Sequence, residues 1–191
     1  MKIFPINISM LPGEKFPPHI FEPRYKKLIE DCKVHGETFG VCLSYSGKIS
    51  RFGTEVGLHK VSQSYFDGSS DIIVKGIRSF EILNYIPDLS QESCDQASTK
   101  NIELHSLRPE STVLIDLYEE FSSSFRETDQ LSLNFNLLEI ARNSKLSFRQ
   151  KDQFIRQSSN QKREELLIKH LKYLLLISHQ EESREFNLLM N

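Results

Sequence analysis

The chain has little of what would make its chemistry obvious. Three cysteines, Cys32, Cys42 and Cys94, are an odd number at spacings that fit no C-x-x-C zinc or redox motif, so reduced thiols are expected. No apolar run approaches the ~20 residues a membrane span needs. The most apolar segment, Glu165 to Ser178, is interrupted by Lys169, His170 and Lys172, and a core helix is expected there. The first residues carry one lysine and an apolar stretch broken by Pro5 and Asn7, with neither an h-region nor a small-residue cleavage site, so a cytoplasmic location is expected. Neither sign of charge dominates: 24 basic and 26 acidic residues leave a net charge of -2 and no global field toward nucleic acid or anionic membrane. No internal repeat is visible. What is present is a composition 38% hydrophobic and 26% charged, enough for a packed core.

The pattern changes once along the chain. "KIFPIN" reads as a strand that Pro5 confines to an edge or an end. Pro17 and Pro18 hold an extended path, and Pro23 stands at the first position of a helix whose apolar stripe is Phe21, Tyr25, Leu28, Ile29 and Cys32, closing near Gly36. Thr38 to Tyr45 alternates as a half-buried strand and turns at Ser46-Gly47. Val56, Leu58 and Val61 slip out of phase, predicting a bulge; Asp67-Gly68 is a turn signal; Asp71 to Ile86 continues as strand, interrupted at Gly76; and Asn101 to Leu107 ends the region. The polar run Asp88 to Asn101 is expected as a surface loop. Beyond Pro109, Leu114, Leu117, Tyr118, Phe121 and Phe125 recur at helical spacing, and Ser147-x-x-Gln150 and Ser158-x-x-Gln161 fit capping boxes. The expected organisation is α+β: a β-barrel over residues 1–107 with one early amphipathic helix, then a helical bundle over 108–191.

The stretch "FPINISMLPGEKFPPHIFEPRYKKLIED" resembles the opening of the N-terminal, substrate-binding domain of the Lon protease family, and "GTEVGLHKV" and "DIIVKGIRSFEIL" resemble its next landmarks. The resemblance implies a barrel related to PUA domains, followed by helices. It implies a signature of Pro12, Gly13, Pro17, Glu22, Pro23, Arg24, Tyr25, Gly76, Arg78 and Phe80 that acts as framework. A Lon protease continues into an ATPase and a serine-lysine peptidase. Neither motif is found here: Gly47-Lys48 is followed by Ile49, and no G-x-S-x-G occurs. A stand-alone, non-catalytic module without cofactor or metal is therefore expected.

Its site residues are expected to be surfaces. Glu22 would cap the first helix and pair with Arg78 or Arg24. Cys32-x-x-His35 with Cys42 lacks a fourth metal ligand, and His19 and His59 are scattered. Glu30-Asp31 and Glu119-Glu120 are adjacent helical residues that point apart. Met10, Leu11, Phe16, Phe21, Tyr65 and Phe66 are the apolar candidates for peptide contact, at the rims formed by the Pro5 edge and the loop Met10 to His19. The expected function is binding of unfolded or degron-bearing polypeptides, in a setting related to proteolysis, with a protease or chaperone and weak self-association as further partners and no membrane. From Arg142 to Lys172 there are 9 basic and 3 acidic residues, against 3 and 11 from Ile86 to Glu139. This asymmetry supports the alternative of a PUA-type RNA-binding module, although Phe148, Phe154 and Tyr173 sit at core spacing and not as a stacking platform.

Overall fold

The computed structural model describes residues 1–90, 92–125 and 135–189. Among these residues seven strands and five helices follow one another as β1 (Lys2–Ile6), β2 (Lys15–Phe16), β3 (His19–Ile20), α1 (Pro23–His35), β4 (Thr38–Tyr45), β5 (Lys48–Ser64), β6 (Ser70–Ile86), β7 (Asp95–Ile102), α2 (Thr112–Phe125), α3 (Leu137–Asn143), α4 (Phe148–Arg156) and α5 (Asn160–Leu189). Contacts divide the chain into two units: Met1–Leu104 with Ser147–Arg156, and His105–Leu146 with Gln157–Asn191. The helix α4, which the sequence pattern grouped with the later helices, thus belongs with the sheet.

In the first unit the strands form one sheet of order β2-β6-β5-β4-β1-β7, with β3 also on β6 and a further β6–β7 pairing. The β1–β4 pair is parallel, Ile3 opposite Gly40 to Ile6 opposite Leu43, and α1 lies on the chain path between them. All other pairs are antiparallel. The expected closed barrel is corrected to a bent sheet. Pairing does return from β7 to β6, but the β1–β7 seam is two residue pairs long, and β6 divides its outer edge between β2 and β3 at one end and β7 at the other. Register shifts in the β5–β6 ribbon at Glu55/Val56, Leu58/Lys60 and Val61/Gln63 place bulges where the hydrophobic phase slipped.

Two clusters lie on this sheet. Tyr25, Leu28, Ile29 and Cys32 of α1 pack with Phe4, Ile8, Met10, Ile20, Phe39, Val41, Val56, Ile72 and Val74. Burying each large apolar side chain there contributes about 1.5–3 kcal/mol. Gly36 closes α1 at φ 66°, and its N–H donates to the Cys32 carbonyl. Ile3, Cys42, Phe80, Ile82 and Ala97 form the second cluster. Because Phe39 and Val41 face one cluster and Cys42 the other, β4 is buried on both sides and not half-buried as alternation implied. The loop expected across Asp88 to Asn101 is in fact strand from Asp95, and the strand expected from Asn101 ends at Ile102. Its polar letters hide an alternation in which Asp95 and Ala97 are buried while Gln96 and Ser98 are exposed.

In the second unit α2, α3 and α5 bury Leu114, Tyr118, Phe121, Leu137, Leu138, Ile140, Leu167, Leu171 and Leu175. The Glu164 carboxylate accepts from the Glu110 and Ser111 N–H groups at 2.6 and 3.1 Å, holding the entry to α2. Asn136 and Glu139 form a full capping box on α3. On α5 the capping hydroxyl is Ser159, which accepts from the Lys162 N–H at 3.3 Å, one residue beyond the Ser158-x-x-Gln161 expectation. Phe125, the last apolar position expected on α2, ends that helix.

Candidate functional site

The proline-rich corner is built around a tight turn. Pro12 and Gly13 occupy its centre, Gly13 at φ 88°, and the Glu14 N–H donates to the Leu11 carbonyl at 3.1 Å. The Glu14 carboxylate accepts from the Leu11 N–H at 2.8 Å with one oxygen and from Lys151 of α4 at 2.6 Å with the other. Gly76 takes the turn onto β6: Gly13 N–H donates to the Gly76 carbonyl and Gly76 N–H to the Glu14 carbonyl, both at 2.9 Å. A Cβ at Gly76 would stand 2.6 Å from the Leu11 carbonyl oxygen, so the approach requires glycine. From the turn the chain runs past exposed Pro17 to Pro18, whose carbonyl accepts from the Ile72 N–H at 3.2 Å.

The rest of the signature follows the same logic. Pro23 opens α1 and Glu22 is its N-cap by backbone, without the side-chain capping bond expected of it. Its carboxylate instead takes the Arg24 Nε and Nη2 at 3.1 and 2.9 Å, so Arg24 and not Arg78 is the ion-pair partner. The Arg24 guanidinium lies 4.6 Å over the ring of Tyr25, which is buried against Phe4. Arg78 pairs with Glu55 at 2.6 Å, and Thr38 donates to the other Glu55 oxygen at 2.7 Å. Burial pushes the Glu55 pKa up, and these two donors overcome it and hold the carboxyl below its ordinary range. Phe80 is fully buried in a slot between Gly40 and Gly53, where an added Cβ on either would meet its ring at 2.7 Å.

Side chains of α4 complete this framework. Asp152 accepts from Ser50 and from Arg156, the latter at 2.8 Å, and Arg149 lies 4.0 Å over the Tyr45 ring.

The apolar candidates separate into core and surface. Met10 and Leu11 are buried at 3% and 0% exposure and are corrected to core; Phe16 is half-buried against the first cluster. Phe21 and Phe66 are 61% and 114% exposed, and Tyr65 is exposed as well. Phe21, placed on the helix stripe by spacing, precedes α1 and turns outward. Its ring stacks on His19 at 6.1 Å, and His19 meets the Tyr65 ring edge-on at 5.8 Å. Asp71 ties the pair together, bonding His19 Nδ1 at 2.7 Å and accepting from the Tyr65 hydroxyl at 2.5 Å. The bonds from Tyr65 and then His19 hold Asp71 below the usual carboxylate range, and the bond to Asp71 raises the Tyr65 pKa. His19 and Asp71 were not foreseen here, though the His-x-Phe alternation in an extended segment signals a shared face.

Beside this ledge the β5–β6 turn is fixed. Asp67 accepts from the Ser69 N–H and hydroxyl at 2.9 and 2.7 Å, and its carbonyl accepts from Lys26 of α1 at 2.7 Å. A groove of about 410 Å³ runs between α1 and this turn, lined by residues that include Lys26, Glu30, Lys33, Ser64 and Tyr65. The strand β5 pairs β4 only as far as Gly57, so from Leu58 to Ser64 its one strand partner among the described residues is β6. The edge containing Pro5 is not comparably open, because β1 lies between β4 and β7.

The remaining candidates fall apart in space. Cys32, Cys42 and Cys94 are buried free thiols, and His35 beside Cys32 is exposed. Among the described residues no three His, Cys, Asp or Glu side chains converge as a metal site. Glu30 pairs with Lys33 and Asp31 with Lys2, so these adjacent carboxylates do diverge. No described helix is long and apolar enough to cross a membrane.

A family model described as the ATP-dependent protease La (LON) substrate-binding domain matches residues 1–180. The chain belongs to this family. Among solved structures, a Lon N-terminal domain protein from Xanthomonas campestris is 25% identical, with a TM-score of 0.63 over 92% of this chain and 96% of that one. The N-terminal domain of a Mycobacterium avium complex Lon protease shares the fold at 13% identity, with a TM-score of 0.60 over 90% of this chain and 97% of that one. The corner, the glycine contacts and the Glu55–Arg78 pair all lie within the residues that the substrate-binding-domain model matches.

Proposed function

We propose that the chain is a polypeptide-binding module that captures unfolded or degron-bearing segments on the aromatic ledge of Phe21, Tyr65 and Phe66. One observation carries the reading. The signature residues are occupied in framework contacts, while these three aromatics project from the extended segment before α1 and from the β5–β6 turn, which Asp67, Ser69 and Lys26 fix. Large exposed aromatics on rigid backbone offer contact area at low entropic cost, as binding surfaces require. On this reading the first unit is PUA-like, the later helices form a bundle, and the chain serves a protease or chaperone in the cytoplasm. The basic run gives less support to RNA binding: Lys151 and Arg156 are paired with Glu14 and Asp152, Arg149 covers Tyr45, and Arg163 is buried.

The test is binding of a permanently unfolded, fluorophore-labelled protein to the native chain and to a Phe21→Ser, Tyr65→Ser, Phe66→Ser variant. Loss of about tenfold or more in affinity, at unchanged circular dichroism, supports the ledge. Equal affinity removes it. Tight binding of single-stranded RNA that weakens steeply with salt would favour the alternative instead.

A further inference from the structure

Register sets two lysines against each other on the sheet. Lys15 of β2 stands directly opposite Lys75 of β6, and both are exposed. Residues opposite in an antiparallel pair share a face, where like charges repel. Val74 and Gly76 on either side of Lys75 are buried, so this face is turned away from the first cluster. Two residues back along β6, half-buried Ile73 lies on the same face, opposite exposed Lys60 of β5. Ile77, 44% exposed, bulges from β6 and leans over Gly57, the β5 residue opposite Lys75. Lys15, Lys60, Lys75, Ile73 and Ile77 therefore make one patch, on the first unit alone.

The carboxylates that border the patch do not neutralise it. Glu14 is held by Lys151 and the Leu11 N–H, Glu55 by Arg78 and Thr38, and Asp71 by His19 and the Tyr65 hydroxyl. Lys15, Lys60 and Lys75 have no ion-pair or hydrogen-bonding partner among the described residues. Carboxylates brought from outside would relieve the repulsion that register imposes. A second copy of the chain would bring lysines against lysines, which disfavours self-association through this face. A phosphate backbone fits it less well than a polypeptide: Arg78 beside it is committed to Glu55, no aromatic ring lies between the lysines for a base to stack on, and Ile73 and Ile77 offer apolar contact. We propose that this face of β2, β6 and β5 docks an acidic polypeptide segment, its carboxylates against Lys15, Lys60 and Lys75 and an apolar side chain against Ile73 and Ile77. The segment lies across the face and needs no added ladder. The Asp71 carboxylate separates it from the aromatic ledge, so this docking site is additional to the capture of unfolded chains proposed above.

Two fluorescent peptides of about twelve residues, one of Glu-Glu-Val repeats and one of Lys-Lys-Val repeats, test this on the full chain, beside oligouridylate RNA and vesicles containing phosphatidylserine. The Glu peptide is expected to bind, more weakly as salt rises, and the Lys peptide is not. Joint replacement Lys15→Gln, Lys60→Gln, Lys75→Gln should lower affinity for the Glu peptide about tenfold at unchanged circular dichroism. Lys15→Glu with Lys75→Glu should turn the preference to the Lys peptide, and the Phe21→Ser, Tyr65→Ser, Phe66→Ser variant should bind the Glu peptide as the native chain does. Equal affinity of the native chain and the glutamine variant overturns the proposal. So does a Glu peptide that fails to bind, or one that is lost with the ledge aromatics. Tighter binding of RNA or vesicles that the glutamine variant loses would give the face to another partner and overturn it too. Capture of the unfolded protein on the ledge stands or falls by its own assay.

Discussion

Replacing Gly76 by alanine should cost the protein a large share of its stability, for reasons readable atom by atom. The new Cβ would lie 2.6 Å from the Leu11 carbonyl oxygen and 3.2 Å from Pro12 Cα. Both are backbone atoms, and no rotamer change relieves the clash. The turn is held to β6 by two bonds at 2.9 Å, and lifting it away weakens both. Two backbone hydrogen bonds at about 0.5–1.5 kcal/mol each, together with an overpacking strain of about 1–3 kcal/mol, give a loss of about 2–6 kcal/mol. Against this, alanine restricts the unfolded chain and returns about 0.4–1 kcal/mol. The neighbouring residue of the ribbon provides a control. A Cβ at Gly57 meets only Ile77 Cδ1 at 3.4 Å, so Gly57→Ala carries the entropic gain without the clash. Urea unfolding followed by far-ultraviolet circular dichroism should place Gly76→Ala about 1–6 kcal/mol below the native protein and Gly57→Ala level with it or up to about 1 kcal/mol above. Equal midpoints for the two variants would refute the claim that glycine at position 76 serves the approach of the turn.

Two further outcomes follow from polar and titrating groups. The Glu14 and Lys151 side chains are 17% and 14% exposed, so a double-mutant cycle of Glu14→Gln and Lys151→Met should return a coupling of about 1–3 kcal/mol; a value within error of zero would mean that this pair does not help to hold α4. Burial pushes the Cys32 and Cys94 thiols up to about 11 and Cys42 up to about 12, from an ordinary value of 9.0. Because the folded values lie above the unfolded one, the stability from burying neutral thiols is complete below about pH 9 and is lost as pH rises toward 11 and 12. At pH 8 an aromatic disulfide reagent should leave the native protein unlabelled and label all three thiols in denaturant, and rapid native labelling would contradict their burial.

How much of this was legible in the letters depends on which force wrote each segment. The first helix was, because Pro23, the Tyr25–Leu28–Ile29–Cys32 stripe and Gly36 each act within one or two turns of chain. The β5 bulges were also legible, as a slip between Leu58 and Val61. By contrast β7 was not: Asp95 to Ile102 is polar, and its extended state comes from β6 and β1 offering ladder partners distant in sequence. The same limit hid the burial of β4 on both faces, because alternation reports one apolar side and cannot report Gly40 and Gly53 making room for Phe80. At the candidate site, Phe21, Tyr65 and Phe66 were named from composition and place. Met10 and Leu11 shared their chemistry and proved to be core, because hydrophobicity alone does not tell which side of a turn faces inward. The partner of Glu22 was the nearer of two arginines, since a side chain in the first turn of α1 reaches its N-cap residue more reliably than one crossing from another strand.

The membership of α4 in the sheet unit has a consequence for synthesis. As the chain leaves the ribosome, Glu14 and Ser50 must wait for a helix whose last residue is number 156, with most of the second unit's early portion emerging in between. The sheet can collapse before then, but it acquires its final brace late, so a nascent chain arrested near residue 110 should remain loose around the Pro12–Gly13 turn and offer that region to proteases until translation moves on.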